Sequence, residues 1–248
     1  MKTNLHPLLT QAERIMVIMA HPDDAEIQCG GTVARLIAMG KQVTYVLCTS
    51  GNRGRAEVNL TADELAGLRE TEQQAAASLL GVDEVVFLRF DDGDLAYNRP
   101  ALRQAVVARL RQYRPQVVFT HDPFAGTGSY EVCYLHPDHR AVGEVVLEAA
   151  FFCAPGPLFY PEQIAEGLKP HKISSLCLVM SHQPDLFVDI ESVFEKKVMA
   201  IAQHASQWGR QPDLEGFFRQ MAEASGREHA IPLAEAFRAL KAYTSRTY

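Results

Sequence analysis

No run of apolar residues in this chain of 248 residues approaches the length of a membrane-spanning helix. The segment Met1 to Leu9 also lacks the apolar core of a secretory signal. A cytoplasmic protein with no membrane span is therefore expected. A basic excess is missing too. The formal net charge is −6, which argues against nucleic acid or an acidic membrane surface as partner, because both favour basic patches. Cysteine is sparse: Cys29, Cys48, Cys133, Cys153 and Cys177 are odd in number and scattered, with no C-x-x-C pair. That fits reduced thiols rather than a disulfide framework. Gly30-Gly31 does not have the G-x-G-x-x-G spacing of a dinucleotide site, and no Walker A sequence occurs. Internal repeats, low-complexity tracts and a clear linker are absent, so residues 1–248 are expected to form one domain. At 47% hydrophobic and 22% charged residues, the composition is that of a soluble globular protein.

What is present is an alternation of strand and helix signals. Ile15–Ala20, Gln42–Cys48, Glu84–Phe90 and Gln116–His121 read as strands. Helices are expected over Thr32–Met39, Thr61–Leu80, a segment from Pro100 to about Tyr113, and His136 to about Phe152. Thr61 and Glu64 have capping-box spacing, and Gly40 and Gly81 suit helix C-termini. Arg69 and Glu72 are three apart and can pair on one helix face. Such alternation implies βαβ units and a parallel sheet, hence an α/β fold with a Rossmann-like, mostly parallel core flanked by helices. Residues 154–170, which hold Pro155, Pro157, Pro161 and Pro170, read as a connection. Ile173–Ser181 and Leu186–Ile190 are expected as further strands. Ser192 and Glu195 form a second capping-box pattern, opening a helix to about Trp208, and Leu214–Arg227 is read as helical. Residues 232–248 fit either a late strand or a helix start.

Two clusters carry chemistry. His21-Pro22-Asp23-Asp24-Ala25-Glu26 follows the first strand; His136-Pro137-Asp138-His139 follows the fourth. In a Rossmann strand order those strands are neighbours at the switch point, so the loops after them face one crevice. Two histidines and a carboxylate form the ligand set of a catalytic zinc with an open position. A spare carboxylate can act as general base, and a spare histidine as proton donor or oxyanion partner. Spacing alone does not divide these roles between Asp23 and Asp24. Glu26 is read as supporting the loop or facing solvent. His6, His171, His204 and His229 read as surface or packing residues, and Asp91, Asp92 and Asp94 as a solvated turn.

Ala20-His21-Pro22-Asp23-Asp24-Ala25-Glu26 with Gly30-Gly31-Thr32, and His136-Pro137-Asp138-His139-Arg140, resemble the PIG-L (LmbE-like) family of zinc-dependent N-deacetylases. Softer landmarks are Thr49–Gly54, Leu68–Glu72, Thr120-His121-Asp122-Pro123, Pro184–Ile190, His204-Ala205-Ser206-Gln207 and Ala234–Phe237. The resemblance implies His21, Asp24 and His139 as metal ligands and Asp23 as general base. It implies His136 as the oxyanion-stabilising or proton-donating histidine, with Asp138 orienting it. Arg69 would face the substrate; Arg53, Tyr130 and Tyr134 are further substrate-contact candidates. The implied metal is Zn2+, with Fe2+ as the alternative. The implied substrate is an acetylated amino-sugar compound of N-acetylglucosaminyl type, and a homo-oligomer is the expected assembly. The loop Phe124 to Leu135 and the segment 154–170 are where this chain departs from compact members. The competing reading is a hydratase of an unsaturated dicarboxylic acid on the same metal scaffold, which would use Arg53, Arg55 and Arg69 as cations. A non-catalytic sugar-binding protein would need no metal set.

Overall fold

The computed structural model describes residues 5–54, 60–124 and 136–241. After a single turn α1 (Pro7–Thr10), the chain runs β1 (Arg14–Met19), α2 (Asp24–Ala38), β2 (Gln42–Thr49), α3 (Ala62–Leu80), β3 (Glu84–Phe90), α4 (Arg99–Tyr113), β4 (Val117–His121) and α5 (Pro137–Glu148). A π-helical turn at Ala149–Cys153 and a short α6 (Pro161–Ala165) lead to β5 (Ser175–Val179) and β6 (Leu186–Asp189). Then come α7 (Phe194–Ile201), α8 (Ala205–Trp208), α9 (Leu214–Gly226) and β7 (Ala234–Lys241). The seven strands form one sheet in the order β3-β2-β1-β4-β5-β7-β6. β3, β2, β1, β4 and β5 are mutually parallel, and β7 is antiparallel to both β5 and β6. The expected α/β class and the adjacency of the first and fourth strands are both observed.

Strand alternation builds two cores. Ile15, Val17 and Met19 of β1 pack on one face with Val33 and Leu36 of α2, Leu80 of α3, Phe194 of α7 and Phe218 of α9. Met16 and Ile18 point the other way, to Leu102, Val106 and Leu110 of α4 and Val142 and Val146 of α5. A buried side chain of this size contributes about 1.5–3 kcal/mol, so β1, apolar on both faces, is an anchored strand whose carboxyl end is held in place.

α2 starts at Asp24, eight residues before the expected start. Its Gly30 and Gly31 lie inside the helix and permit close packing: a Cβ on Gly31 would stand 2.7 Å from Ile190 Cγ2. Asp24 and Glu26 occupy the first turn, where a carboxylate complements the helix dipole. The Thr61/Glu64 capping box and the left-handed Gly81 cap form as expected. The Ser192/Glu195 box does not. A 3-10 turn occupies Glu191–Val193, α7 starts at Phe194 without a side-chain cap, and the expected long helix breaks into α7 and α8. Residues 234–241 are strand β7, which resolves the open reading of that part of 232–248.

Candidate metal centre

The site lies where β1 and β4 end side by side. Met19 closes β1; Ala20 N–H donates to His121 Nε2 at 3.1 Å, which joins the two strand ends directly. His21 and Asp24 follow in the turn and first helical residue. His21 N–H donates to Asp24 Oδ2 at 2.8 Å. From the β4 side, His136 caps α5 with Nδ1 accepting from Asp138 N–H at 3.2 Å, and His139 stands one turn in.

Asp24 is the hub. Its Oδ2 lies 3.4 Å from His21 Nδ1 and 3.4 Å from His121 Nε2, and its Oδ1 lies 3.3 Å from His139 Nε2. His121 and His139 stack at 4.0 Å between ring centroids, and His136 lies 4.7 Å from His139. Burial would raise the Asp24 carboxyl, but His139 and His121 outweigh it and hold the pKa well below the carboxylate range. Burial pushes His121 down to about 4, and His139 adds to that. His121 is therefore a neutral imidazole at ordinary pH. Burial lowers His136 as well, with His21 and His139 contributing.

The donor set fits a divalent metal. Among the described residues three overlapping groups, Asp24/His121/His139, His21/His136/His139 and His21/Asp92/Asp138, each bring their ligand atoms within 4.8 Å of one another. The imidazole–carboxylate mix is of the type a catalytic zinc uses. The triad expected from the sequence, His21, Asp24 and His139, is spread over the first two of these groups. The other ring nitrogen of His21 is engaged as well: Nε2 lies 3.1 Å from Asp92 Oδ1 and 3.2 Å from Asp138 Oδ2. A carboxylate on the second ring nitrogen fixes the tautomer and the aim of a ligand histidine. Burial would lower His21, yet Asp138, Asp24 and Asp92 together hold its pKa well above the ordinary value.

Asp23 is set apart from this set. It has φ 96°, a conformation strained for any residue but glycine. Its N–H donates to Gln73 Oε1 at 3.1 Å, Trp208 Nε1–H donates to its Oδ2 at 3.0 Å, and Arg69 Nη2 stands 3.4 Å from its Oδ1. Burial, then the neighbouring Asp24, raise its pKa against the pull of Arg69, His204 and Trp208.

Several sequence expectations change here. Asp92 is not in a solvated turn: it is 7% exposed and faces His21. Its turn is bound into the site, since Gly93 N–H and Leu95 N–H both donate to the Asp138 carboxylate, at 2.6 and 3.2 Å. Asp138 accordingly points its carboxylate at His21, and it meets His136 only through its backbone N–H. Arg69 is 3% exposed and turned inward, to Pro22 O at 2.5 Å and Gly51 O at 3.1 Å. Its guanidinium is engaged by the Pro22–Asp23 turn and the loop after β2. The expected Arg69–Glu72 pair is not made; Glu72 accepts from Ser206. Arg53 is half-exposed and donates to Asp92 O and Asp94 Oδ2. His204, read as a surface or packing residue, is wholly buried with Nε2 at 3.1 Å from Glu26 Oε2. Glu26 is therefore buried support, not a solvent-facing group. Arg55, Tyr130 and Tyr134 lie outside the described residues. The residue missed is His121. Its signal was available: a histidine that closes a strand expected beside β1 must enter the crevice.

The protein-family model described as PIG-L, GlcNAc-PI de-N-acetylase, matches residues 16–150, which include both histidine–aspartate motifs. A diacetylchitobiose deacetylase of Thermococcus kodakarensis is 37% identical over 196 residues, covering 79% of this chain and 70% of that protein. A 1D-myo-inositol 2-acetamido-2-deoxy-alpha-D-glucopyranoside deacetylase of Mycobacteroides abscessus is 30% identical over 234 residues, covering 78% and 81%. The solved structure of N,N'-diacetylchitobiose deacetylase from Pyrococcus horikoshii superposes with a TM-score of 0.86 at 33% identity, over 96% of this chain and 87% of that one. Motifs, fold and identity agree over the same residues, and the chain belongs to the PIG-L family.

Proposed function

We propose that this protein is a metal-dependent N-deacetylase that hydrolyses the acetamide of an N-acetylglucosaminyl-type compound to acetate and the free amine. The observation that carries the reading is Asp24, whose carboxylate lies within 3.4 Å of His21, His121 and His139, beside a second carboxylate, Asp23, that none of these imidazoles engages. The deacetylases among its relatives, named for acetylated amino sugars, support the substrate class.

His21, Asp24 and His139 would hold the metal, Zn2+ or Fe2+, which when bound supplies Lewis-acid polarisation of the amide carbonyl and a water of lowered pKa. Asp23 takes a proton from the water as its oxygen attacks the carbonyl carbon. Its raised pKa brings it nearer to neutrality, where a general base works best. His136 accepts a backbone N–H at Nδ1, so the neutral ring carries its proton on Nε2. That N–H is the donor for the oxygen on which charge develops. The C–N bond then breaks, and the amine nitrogen leaves with the proton that Asp23 removed. Asp138 acts by aiming His21. The protein would work in the cytoplasm as one domain of a homo-oligomer; none of its described helices is long and apolar enough to cross a membrane.

The hydratase reading needs several free cations for its carboxylates. Among the described residues, Arg69 is engaged by the Pro22–Asp23 turn and Arg53 is tied to the Asp92–Asp94 turn, which disfavours it. Assay of the metal-loaded protein against N-acetylated sugars decides the matter. Stoichiometric acetate and amine are expected; hydration of an unsaturated dicarboxylate without acetate release would overturn the proposal.

A further inference from the structure

One face of α3 braces the first motif. Arg69 and Gln73, four residues apart, both reach the Pro22–Asp23 turn, to Pro22 O and to Asp23 N–H. Glu72, on the same face, reaches elsewhere. Its two oxygens take Ser206 N–H at 2.7 Å and the Ser206 hydroxyl at 2.6 Å. Ser206 belongs to α8, whose entry is pinned by His204 against Glu26 of α2. This four-residue turn is thus fixed to both helices that flank Asp23. It ends on Trp208, and the indole N–H donates to Asp23 Oδ2 at 3.0 Å.

Packing alone does not account for that aim. The indole sits on Phe218 and Phe217, at 5.1 and 6.1 Å between centroids, contacts that hold a ring without requiring its nitrogen to meet a carboxylate. Trp208 and Asp23 also both line a recess of about 400 Å³, so their contact borders open space rather than sealed core. Trp208 lies well outside residues 16–150, the part matched by the family model.

We infer that Trp208 is a positioning residue for the hydrolytic step: its indole N–H holds Asp23 Oδ2 at 3.0 Å while Arg69 Nη2 stands 3.4 Å from Oδ1, and the shorter indole contact fixes the plane of the carboxylate that takes the proton from water. The inference rests on Asp23 as the base, the reading given above. It places a residue of the C-terminal third of the chain in the machinery of an N-terminal motif. A carboxylate free to rotate would spend much of its time misaligned, and misplacement of a catalytic group by about 1 Å can cost roughly a hundredfold in rate.

Trp208 is the chain's only tryptophan, so biosynthetic replacement by 3-benzothienylalanine changes one atom group, N–H to sulfur, at one site. The metal-loaded replaced enzyme should show kcat lowered roughly ten- to a hundredfold with KM for an N-acetylated sugar unchanged. Replacement by 4-fluorotryptophan, which keeps the N–H, should restore kcat. The single 15N–1H indole resonance supplies a readout without turnover: Asp23→Ala should move it upfield as the carboxylate acceptor is lost. Unchanged kcat in the sulfur analogue, or an indole resonance indifferent to Asp23→Ala, overturns the inference. Failure of the unmodified enzyme to release acetate, with the indole shift intact, strikes the deacetylase reading and leaves the Trp208–Asp23 contact standing.

Discussion

Asp138 Oδ2 stands 3.2 Å from His21 Nε2, although the two residues are 117 positions apart. The opposite nitrogen of the same ring faces Asp24. A carboxylate from the second motif therefore aims the imidazole of the first that is proposed as a ligand, and is itself held by the N–H groups of Gly93 and Leu95. Loss of such a partner weakens metal binding by about 10–100-fold. Asp138→Ala is expected to lower zinc affinity by that factor in competition with a chromophoric chelator. Affinity equal to wild type would mean that Asp92 alone orients His21.

Asp23 and His139 should separate base from ligand. Asp23→Asn is expected to retain its metal by elemental analysis and to lose about 10²–10⁴-fold in turnover, the range of general-base catalysis. His139→Ala should instead lose metal. Near-normal turnover in the first variant, or full occupancy in the second, contradicts the assignment of that residue.

The His204–Glu26 contact makes a pH-dependent contribution to stability. Burial would lower the His204 pKa, but Glu26 outweighs it, helped by Asp23 against Arg69, and the folded value lies above the ordinary one. A group raised on folding stabilises fully below its unfolded pKa of about 6.5 and loses that contribution as pH climbs through the folded value. The stability difference between wild type and His204→Gln, measured by urea unfolding, should therefore shrink as pH rises from about 6. A difference that grows with pH would show that His204 folds as the neutral ring.

The parts of this architecture legible in sequence are those set by local chemistry. Thr61, Glu64 and Gly81 specify the ends of α3 through their own hydrogen bonds and backbone angles, and the apolar runs specify strands. The two motifs could be joined because β1 and β4 neighbour each other in a known strand order. What escaped was contact made through tertiary packing. Asp92 looks like any aspartate in a turn until Asp138 binds that turn. His204 looks unremarkable until Glu26 is found beneath it. The sequence predicts the helix only from Thr32, after Gly30-Gly31, yet both glycines lie inside α2, and Ile190 packs so closely on Gly31 that a side chain there would not fit. The Ser192/Glu195 pattern had capping spacing, but the chain enters α7 by a 3-10 turn instead.

Gly143 carries a prediction about the seat of the site. A Cβ there would stand 2.5 Å from His121 O and 2.9 Å from Pro123 Cδ and N. Backbone cannot give way as a flexible side chain does, so α5 or the end of β4 must shift. Gly143→Ala should cost about 1–3 kcal/mol, the range of overpacking, and should lower turnover because His121 and His139 lie on the two elements forced apart. Gly67→Ala is the control: nothing lies within 4 Å of that Cβ, on an exposed turn of α3, and a gain of about 0.5–1 kcal/mol is expected. Equal effects of the two substitutions in denaturation would refute the steric argument.

Lys197 and Glu235 form an ion pair at 2.6 Å, with both side chains at most 6% exposed. Lys197 Nζ also donates to Ile27 O at 2.8 Å, while Glu235 accepts from Gly31 N–H at 2.9 Å and Thr32 N–H at 2.7 Å. The pair therefore fastens α7 and β7 to the middle of α2, the helix that carries Asp24 at its start. Removing one partner leaves the other charge buried, which costs about 3–5 kcal/mol. Lys197→Met should destabilise by that amount in urea unfolding. Glu235→Gln in the same background should recover part of the loss, because it leaves no uncompensated charge, while the single amide oxygen can replace only one of the two carboxylate acceptors that Gly31 N–H and Thr32 N–H use. The coupling energy from the double-mutant cycle is the decisive quantity. A value near zero would mean that the two side chains are stabilised independently by their backbone contacts, and that the ion pair itself adds nothing to the hold of β7 and α7 on α2.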